Sequence, residues 1–214
     1  MGSPATSRPG FLSRLAGYRR DIRGIAAVEF AMILPILIIF YLGMTEVQPG
    51  ISIKRKLSLV TRTLADLSTR SADLTKAELK NIFGASGAIM RPYDDTGLTQ
   101  MVVTSVSVTK VGAGYAGSVE WSCGWNLKGL PTADDLALRV PLLPYTVPSG
   151  FQNDATKSFI LVETQYPYSP TFGYNIKSTI RLKDSSPWPT RDADRIKPPT
   201  GTLPSGMKCL GALL

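Results

Sequence analysis

The pattern of apolar and polar positions divides the chain into a helical first part and a β-rich second part. Residues 25–44 form an apolar run whose only charged residue is Glu29. As a helix this run would extend about 30 Å, the thickness of a bilayer's hydrocarbon core. The run therefore predicts a membrane-spanning helix over residues 25–47.

An amphipathic pattern follows the apolar run and predicts a helical stem over residues 51–90. Apolar residues recur there at alternating steps of four and three, which places them on one face of a helix. They are Ile53, Leu57, Val60, Leu64 and Leu67. We expect this stripe to pack on the protein's own domain; the alternative is a contact with a filament or a partner.

Two local signals set the expected limits of the helices. Pro49, followed by Gly50, is expected to interrupt the chain between the membrane helix and the stem, because proline removes a backbone donor and clashes with the preceding turn. Thr75 and Glu78 match a capping box, which opens many helices. A further helix is therefore predicted from Thr75 to about Met90.

Beyond residue 90 the pattern changes to alternating, β-branched segments, which are typical of strands. Two of them flank Gly112-Ala113-Gly114 and predict a hairpin. The predicted strands are 101–111, 115–123, 159–166 and 174–182. Residues 124–157 and the tail from Ser185 are rich in Pro, Gly, Asp and Ser, and they predict long loops.

These elements predict the α+β class: an N-terminal transmembrane helix and amphipathic stem, then a small antiparallel sheet with a packed helix. Residues 91–214 would form the β-rich domain with a proline-rich tail. No other apolar run reaches 18 residues, so we expect one membrane segment. The exported part is long enough for a single core.

The charge distribution predicts the direction of membrane insertion. Residues 1–24 hold five arginines and one aspartate, a net +4 of the chain's +8. The positive-inside rule places this basic leader in the cytoplasm and the C-terminal domain outside. Since half of the positive excess lies in the leader, the charge is no argument for nucleic-acid binding. Alternatively, Arg19-Arg20 could belong to a twin-arginine export signal. The flanking residues Tyr18 and Asp21 fit such a signal poorly.

Glu29 lies where a carboxylate is costly, at roughly 2.5–3.5 kcal/mol even on lenient insertion scales. Cleavage of the chain after Gly24 would explain why an acid is present at this position. The new α-amine on Ile25 would lie one helical turn before Glu29, or meet the Glu29 of a neighbouring subunit. An ordinary secretory signal is cut after its apolar segment, where only weak candidates such as 43–45 occur. An uncleaved signal anchor is the simpler alternative.

The chain contains two cysteines, Cys123 and Cys209. In an exported protein a pair of cysteines favours one disulfide. Two free thiols, or pairing with a partner, are the alternatives.

Candidate catalytic chemistry is sparse. The chain has no histidine, which removes the commonest general base and metal ligand. The adjacent carboxylates 94–95 and 134–135 suit turns or helix starts, and Asp192 with Asp194 suits a solvated tail. We therefore expect no enzyme, no metal site and no cofactor; a serine/lysine hydrolase is the one catalytic class that stays open.

Four stretches together resemble the TadE-like minor pseudopilins of the tight-adherence pilus system. The first stretch, 23–31, has Gly24 before four small or apolar residues, then Glu29 and the aromatic Phe30, and it resembles a prepilin processing site. The others are a helix segment, a hairpin end and a strand that leads into an aromatic and proline corner. They are residues 62–67, 119–122 and 162–170.

The resemblance implies cleavage between Gly24 and Ile25 by a prepilin peptidase, with Glu29 and Phe30 needed for recognition or assembly. It implies a structural role in a surface-adhesion pilus, with other pilins or pseudopilins, an inner-membrane assembly platform and membrane lipid as partners. It also implies an inner-membrane location with a periplasmic domain. Trp121, Tyr166 and Tyr168 are assigned to the core.

Two rival functions stay open on the sequence. One is a binding or sensor domain of an envelope complex that keeps its uncleaved signal anchor. The other is a secreted enzyme. Glu29 distinguishes the pilin-like protein from the anchor, because an anchor has no need of an acid there.

Overall fold

The apolar run and the stem form one long helix. The computed structural model describes residues 24–127, 136–153, 157–170, 179–191 and 194–211. Helix α1 spans Ile25–Ser68, and α2 spans Lys76–Ala88. The chain divides into two compact units, Met1–Val47 and Gln48–Leu214. The second unit holds the C-terminal part of α1, all of α2 and the sheet.

The interruption predicted at Pro49 is wrong, because α1 runs through this residue without a break. A proline inside a helix costs about 3 kcal/mol. Residues shortly after it provide an offsetting gain, since Ile53 and Leu57 are fully buried and burying such a side chain stabilises by about 1.5–3 kcal/mol. Packing therefore maintains the helix where the local sequence disfavours it.

The apolar stripe of the stem packs on the protein's own domain, as predicted. Ile53, Leu57, Val60 and Leu64 are buried in a core shared with α2 and the sheet, while Leu67 is half-buried. These side chains fix which face of α1 lies against the strands. The alternative, in which the stripe contacts a filament, is wrong for the four buried residues.

The predicted capping box opens α2. Thr75 accepts a hydrogen bond from the backbone N–H of Glu78, and the Glu78 carboxylate accepts one from the backbone N–H of Thr75. Both contacts satisfy donors that a helix start leaves unpaired. The helix ends at Ala88, two residues before the predicted Met90, and it buries Leu79 and Phe83 against the core.

Six antiparallel strands form the sheet in the described residues. The central hairpin of β1 and β2 agrees with the prediction, and β4 pairs with β1 on the other side. The strand order is β3-β2-β1-β4-β5, and β6 also pairs with β2. The strands are β1 Gln100–Val111, β2 Gly114–Trp125, β3 Pro144–Tyr145, β4 Ser158–Tyr168, β5 Ile180–Pro189 and β6 Met207–Gly211.

The expected loops contain strands that the sequence pattern did not predict. The prediction of a strand over 174–182 falls partly outside the described residues, and β5 continues through Pro189 into the predicted tail. β6 also lies in that tail, and β3 lies within the loop predicted over 124–157. Strands rarely contain proline, which is why the pattern missed the second half of β5.

β5 accepts two prolines because it lies at an edge of the sheet. It pairs with β4 alone, and Pro187 and Pro189 have no N–H to offer a further strand. Lys54 of α1 contacts this edge: its ammonium donates to the carbonyl of Lys183 and, at 2.7 Å, to the carboxylate of Asp184. The ammonium group of Lys54 thus links α1 to the edge strand β5.

Both faces of the sheet are covered. The helices pack on one face, where Trp121 and Tyr166 are buried as predicted and Tyr168 is half-buried. Trp121 donates from its indole N–H to the carbonyl of Ile196 at 2.9 Å, and Tyr166 donates to the carbonyl of Tyr93 at 2.7 Å. The opposite face is covered by the segment 136–151, which we call the covering segment. Its apolar contacts include Val147 and Phe151 against Phe159.

Candidate functional site

The first candidate site is the start of α1, where the sequence predicts processing. Helix α1 begins at Ile25, and Gly24, the first residue that the structure describes, directly precedes it. No heavy atom of the described residues lies within 4 Å of the position that a Gly24 side chain would take. Ile25 is about half exposed. None of the described residues therefore covers the Gly24–Ile25 peptide at the start of this helix.

Glu29 lies on the same face of α1 as Ile25. The two are four residues apart, which is one helical turn. Glu29 and Phe30 are both exposed, and no cation among the described residues lies within ion-pair distance of Glu29. An α-amine on Ile25 would be a cation within reach of this carboxylate.

The residues after Phe30 expose apolar side chains on every side of the helix. An 18-residue window of α1 reaches a mean hydropathy of 2.5, and none of it is buried within the protein. By length and composition, α1 is long and apolar enough to cross a membrane. Water-exposed apolar area of this extent is strongly unfavourable. This part of α1 is the candidate for a single membrane span.

The predicted pairing of the two cysteines is present in the second unit. Cys123 on β2 and Cys209 on β6 form a disulfide and lie directly opposite each other in the ladder. Cys123 is fully buried in the core. The bond therefore attaches the last described strand to the centre of the sheet.

A second candidate site, which the sequence analysis missed, is a cleft between the covering segment and the sheet. At its base the guanidinium of Arg139 donates two hydrogen bonds to the carboxylate of Glu163, at 2.9 and 2.6 Å. The backbone N–H of Arg139 donates to Ser122 Oγ at 3.2 Å, and Ser122 Oγ lies 2.9 Å from Thr104 Oγ1. The paired residues are distant in sequence, so no local motif indicates them.

Burial and charge together set the ionisation of this cleft. Burial favours the neutral form of Arg139, but the hydrogen bonds and charge of Glu163 outweigh it and raise the pKa of Arg139. Burial also raises the pKa of the Tyr145 phenol, against an opposing effect of Arg139, whose guanidinium carbon lies 5.0 Å from the ring centre. Arg139 is therefore charged and Tyr145 neutral at ordinary pH.

Among the carboxylates considered for catalysis, Asp94 has a structural role. Asp94 is buried and accepts hydrogen bonds from the N–H groups of Leu98 and Thr99, at 2.6 and 2.7 Å, which is the predicted turn role. Residues 134–135 and Asp192 lie outside the described residues. Within the described ranges, His, Cys, Asp and Glu form no group of three that could hold a metal ion.

No protein-family model, no characterised protein and no solved structure matches the chain. The residues themselves therefore carry the evidence for function. Two features carry most of it: the exposed start of α1 in the first unit and the cleft in the second.

Proposed function

We propose that the protein is a minor pilin-like component of a type IV-related, tight-adherence pilus, similar to the TadE-like pseudopilins. A prepilin peptidase cuts it between Gly24 and Ile25. The mature chain keeps α1 as its membrane anchor and presents the sheet domain on the periplasmic side of the inner membrane. It acts through contacts with other pilins and with the assembly platform.

The observation that carries the proposal is where α1 begins. The helix starts at Ile25, directly after the glycine of the candidate cut, and its exposed apolar part contains one charge, Glu29. A new amine at Ile25 lies one turn from that carboxylate, so cleavage provides a partner for an acid that lipid would otherwise penalise. The second unit supports an extracytoplasmic location, because a disulfide suits an oxidising compartment.

The decisive experiment determines the N-terminus of the membrane-bound protein by mass spectrometry, with and without the matching prepilin peptidase. We expect the chain to start at Ile25 only when the peptidase is present. Gly24→Val should block the cut, because a branched side chain next to the cleaved bond obstructs the protease, while Gly24→Ala should be tolerated.

Gly43→Val provides the matched control. It makes the same substitution in the apolar part of α1, where the space around the glycine is also open. This variant should be cut as the unmodified protein is. A chain that keeps Met1 or Gly2 in the presence of an active peptidase overturns the proposal.

The cleft of the second unit favours one other function, that of a signal-anchored extracytoplasmic binding domain in an envelope complex. A pilus component has no evident need of a cleft lined by Arg139 and Glu163, whereas a binding domain does. The same mass spectrometry distinguishes the two, since the anchored protein retains its leader.

A further inference from the structure

Five cations lie at the end of the second unit where α1 enters it. Three of them follow one another on the helix, at residues 54–56. The ammonium of Lys54 donates to the carbonyl of Lys183, and that of Lys56 donates to the carbonyl of Arg91. These contacts bring two cations from distant parts of the chain to the same place. We call the five residues the basic cluster: Lys54, Arg55, Lys56, Arg91 and Lys183.

The contacts along α1 show that the basic cluster lies at one end of the sheet. Lys54 pairs with Asp184 near the start of β5, at 2.7 Å. Farther along the helix, Asp66 pairs with Arg191 just beyond the end of that strand, at 2.6 Å. α1 therefore runs along β5 in the same direction. The end of the sheet near Lys54 faces the side from which the apolar part of the helix arrives.

The positive charge of the basic cluster is mostly unpaired. Lys54 has a carboxylate partner, Asp184, and the other four cations form no ion pair with a described residue. Three of the four are exposed, and Lys56 is half-buried against backbone carbonyls, which do not neutralise it. The acids of the adjoining loop do not balance these charges. Asp94 is buried and accepts from backbone N–H groups, and Asp95 is a single exposed carboxylate.

The spacing from the apolar run places these cations at the level of lipid headgroups. Lys54 follows the last residue of the predicted span, Val47, by seven residues, which is about 10 Å of helix. The headgroup layer of one leaflet is roughly 5–8 Å thick, and long basic side chains near a helix end reach back toward it. Basic side chains at this distance are able to contact lipid phosphates.

An aromatic side chain lies between the apolar part of α1 and the basic cluster. The Cε1 atom of Tyr168 is 3.6 Å from the position that a side chain at Gly50 would take, one helical turn before Lys54. Tyrosine is enriched at the boundary between hydrocarbon and headgroups. Apolar helix, tyrosine and cations therefore follow one another in the order of the layers of a bilayer leaflet.

The position of the cations on the exported side departs from the positive-inside rule. The basic leader, at +4, still determines the direction of insertion, but insertion alone gives no reason for three successive cations directly after the span. Negatively charged lipid headgroups provide such a reason, because they attract basic residues that lie next to a membrane.

We propose that the basic cluster binds the headgroups of anionic phospholipids on the side of the membrane that holds the sheet domain. Arg55, Arg91 and Lys183 pair with lipid phosphates, while Lys54 and Lys56 hold the surrounding chain in place. The side chain of Lys183 projects from the sheet face opposite to that of Asp184, so the contact extends across the end of the sheet. This proposal depends on α1 as the membrane anchor of the proposed function, and not on cleavage or on a pilus.

The test measures which lipids surround the full chain in phosphatidylcholine vesicles. Trace amounts of spin-labelled phosphatidylglycerol or phosphatidylcholine are added, and electron paramagnetic resonance determines how strongly the protein retains each. We expect phosphatidylglycerol to be retained at least about twofold more strongly, and the preference to disappear in 1 M salt, where the Debye length is about 3 Å. Equal retention at low salt would overturn the proposal. A chain that does not enter the vesicles would overturn the membrane anchor and this proposal with it.

A pair of double variants tests where the lipid binds. Arg91→Gln with Lys183→Gln should lower the preference at least about twofold. Lys110→Gln with Lys157→Gln removes the same charge at the other end of the sheet and should leave the preference unchanged. Lys183 is aligned through β4 with Gln100, and Lys110 lies ten residues along β1 from there, roughly 33 Å away. The basic leader is present in every variant, so the differences report on the basic cluster.

Two single variants repeat the comparison on α1. Arg55→Gln should lower the preference, while Arg62→Gln, on the same face of the helix two turns farther from the span, should have little effect. All these side chains are exposed, so the variants should melt like the unmodified protein. Equal effects at both ends of the sheet, or no effect of the changes in the basic cluster, would overturn the proposal.

A soluble phosphate distinguishes lipid from a free anion. Glycerol phosphate should displace phosphatidylglycerol no more than sodium chloride does at the same ionic strength. Stronger displacement would show a site for free phosphate and overturn the assignment to lipid. The N-terminus of the chain is not measured in these experiments, so their outcome is separate from that of the processing experiment.

Discussion

The hydroxyl groups of Thr61 on α1 and Thr164 on β4 lie 2.7 Å apart inside the buried contact between helix and sheet. Thr61 Oγ1 donates to the carbonyl of Leu57 at 2.9 Å. Its single proton is therefore in use, and Thr164 must be the donor between the two hydroxyls. A directional polar contact in an otherwise apolar interface fixes how α1 lies along the strand.

Thr61→Val should destabilise the second unit by about 1–3 kcal/mol, because the substitution leaves the buried hydroxyl of Thr164 without its acceptor. Thermal unfolding followed by circular dichroism measures the effect. Thr63→Val makes the same change at a half-buried position of α1 and should cost less. The double variant with Thr164→Val should be less destabilised than the two single changes together; strict additivity would show that the hydroxyls do not interact.

Replacing either Cys123 or Cys209 with serine should lower the melting temperature and speed proteolysis of the chain around β6. The disulfide joins residues 86 positions apart, and the chain-entropy model assigns such a cross-link about 4–5 kcal/mol. Peptide mapping without reduction should recover the linked pair from the purified protein. Free thiols in protein isolated under alkylating conditions would contradict the bond.

Glu29→Ala should leave the protein membrane-bound, disulfide-bonded and stable, yet unable to support surface pili. The substitution removes a costly charge from an apolar helix, so insertion is unchanged or stronger, and the second unit does not include this residue. Glu29→Gln separates charge from shape and should fail in the same way. Normal piliation of a deletion strain by Glu29→Ala would refute the role assigned to this carboxylate.

Stability should fall in acid partly through Glu78. Its hydrogen bonds from the backbone and side chain of Thr75 lower its pKa below the ordinary 4.5. A lowered pKa in the folded state stabilises the protein above pH 4.5, and this contribution is lost as the pH falls through the lowered value. Glu78→Gln keeps a capping-box residue but does not titrate. Its melting temperature should therefore drop less than that of the unmodified protein between pH 6 and pH 3; equal drops would contradict this account.

The sequence indicated most clearly those elements whose causes are local. The stripe from Ile53 to Leu64 and the capping box at Thr75 each depend on spacing within one helix, and both are present. The hairpin of β1 and β2 likewise follows from alternation around a glycine turn. The cysteine pair was predictable for a different reason, since an exported chain with two cysteines offers a single intramolecular pairing.

Predictions from the local sequence pattern were wrong where tertiary packing or position at the edge of the sheet determines the structure. Pro49 is compatible with a continuous helix because residues after it are buried, and Pro187 is compatible with β5 because no strand lies beyond it among the described residues. The cleft was missed for a third reason. Arg139, Glu163 and Lys183 come together only through the strand order and the path of the covering segment, which no single stretch of sequence encodes.

The edge formed by β5 has a consequence for aggregation. Backbone groups on alternate residues of a strand point to the same side. Pro187 and Pro189 therefore lack an N–H on the same outer side of β5 on which the carbonyl of Lys183 accepts a hydrogen bond from Lys54. Growth of a fibril by strand stacking needs an unbroken row of donors and acceptors. Here two donors are missing and one acceptor is occupied. We therefore expect that β5 does not pair with strands of other molecules, even where the protein is highly concentrated, and so does not start an amyloid fibril.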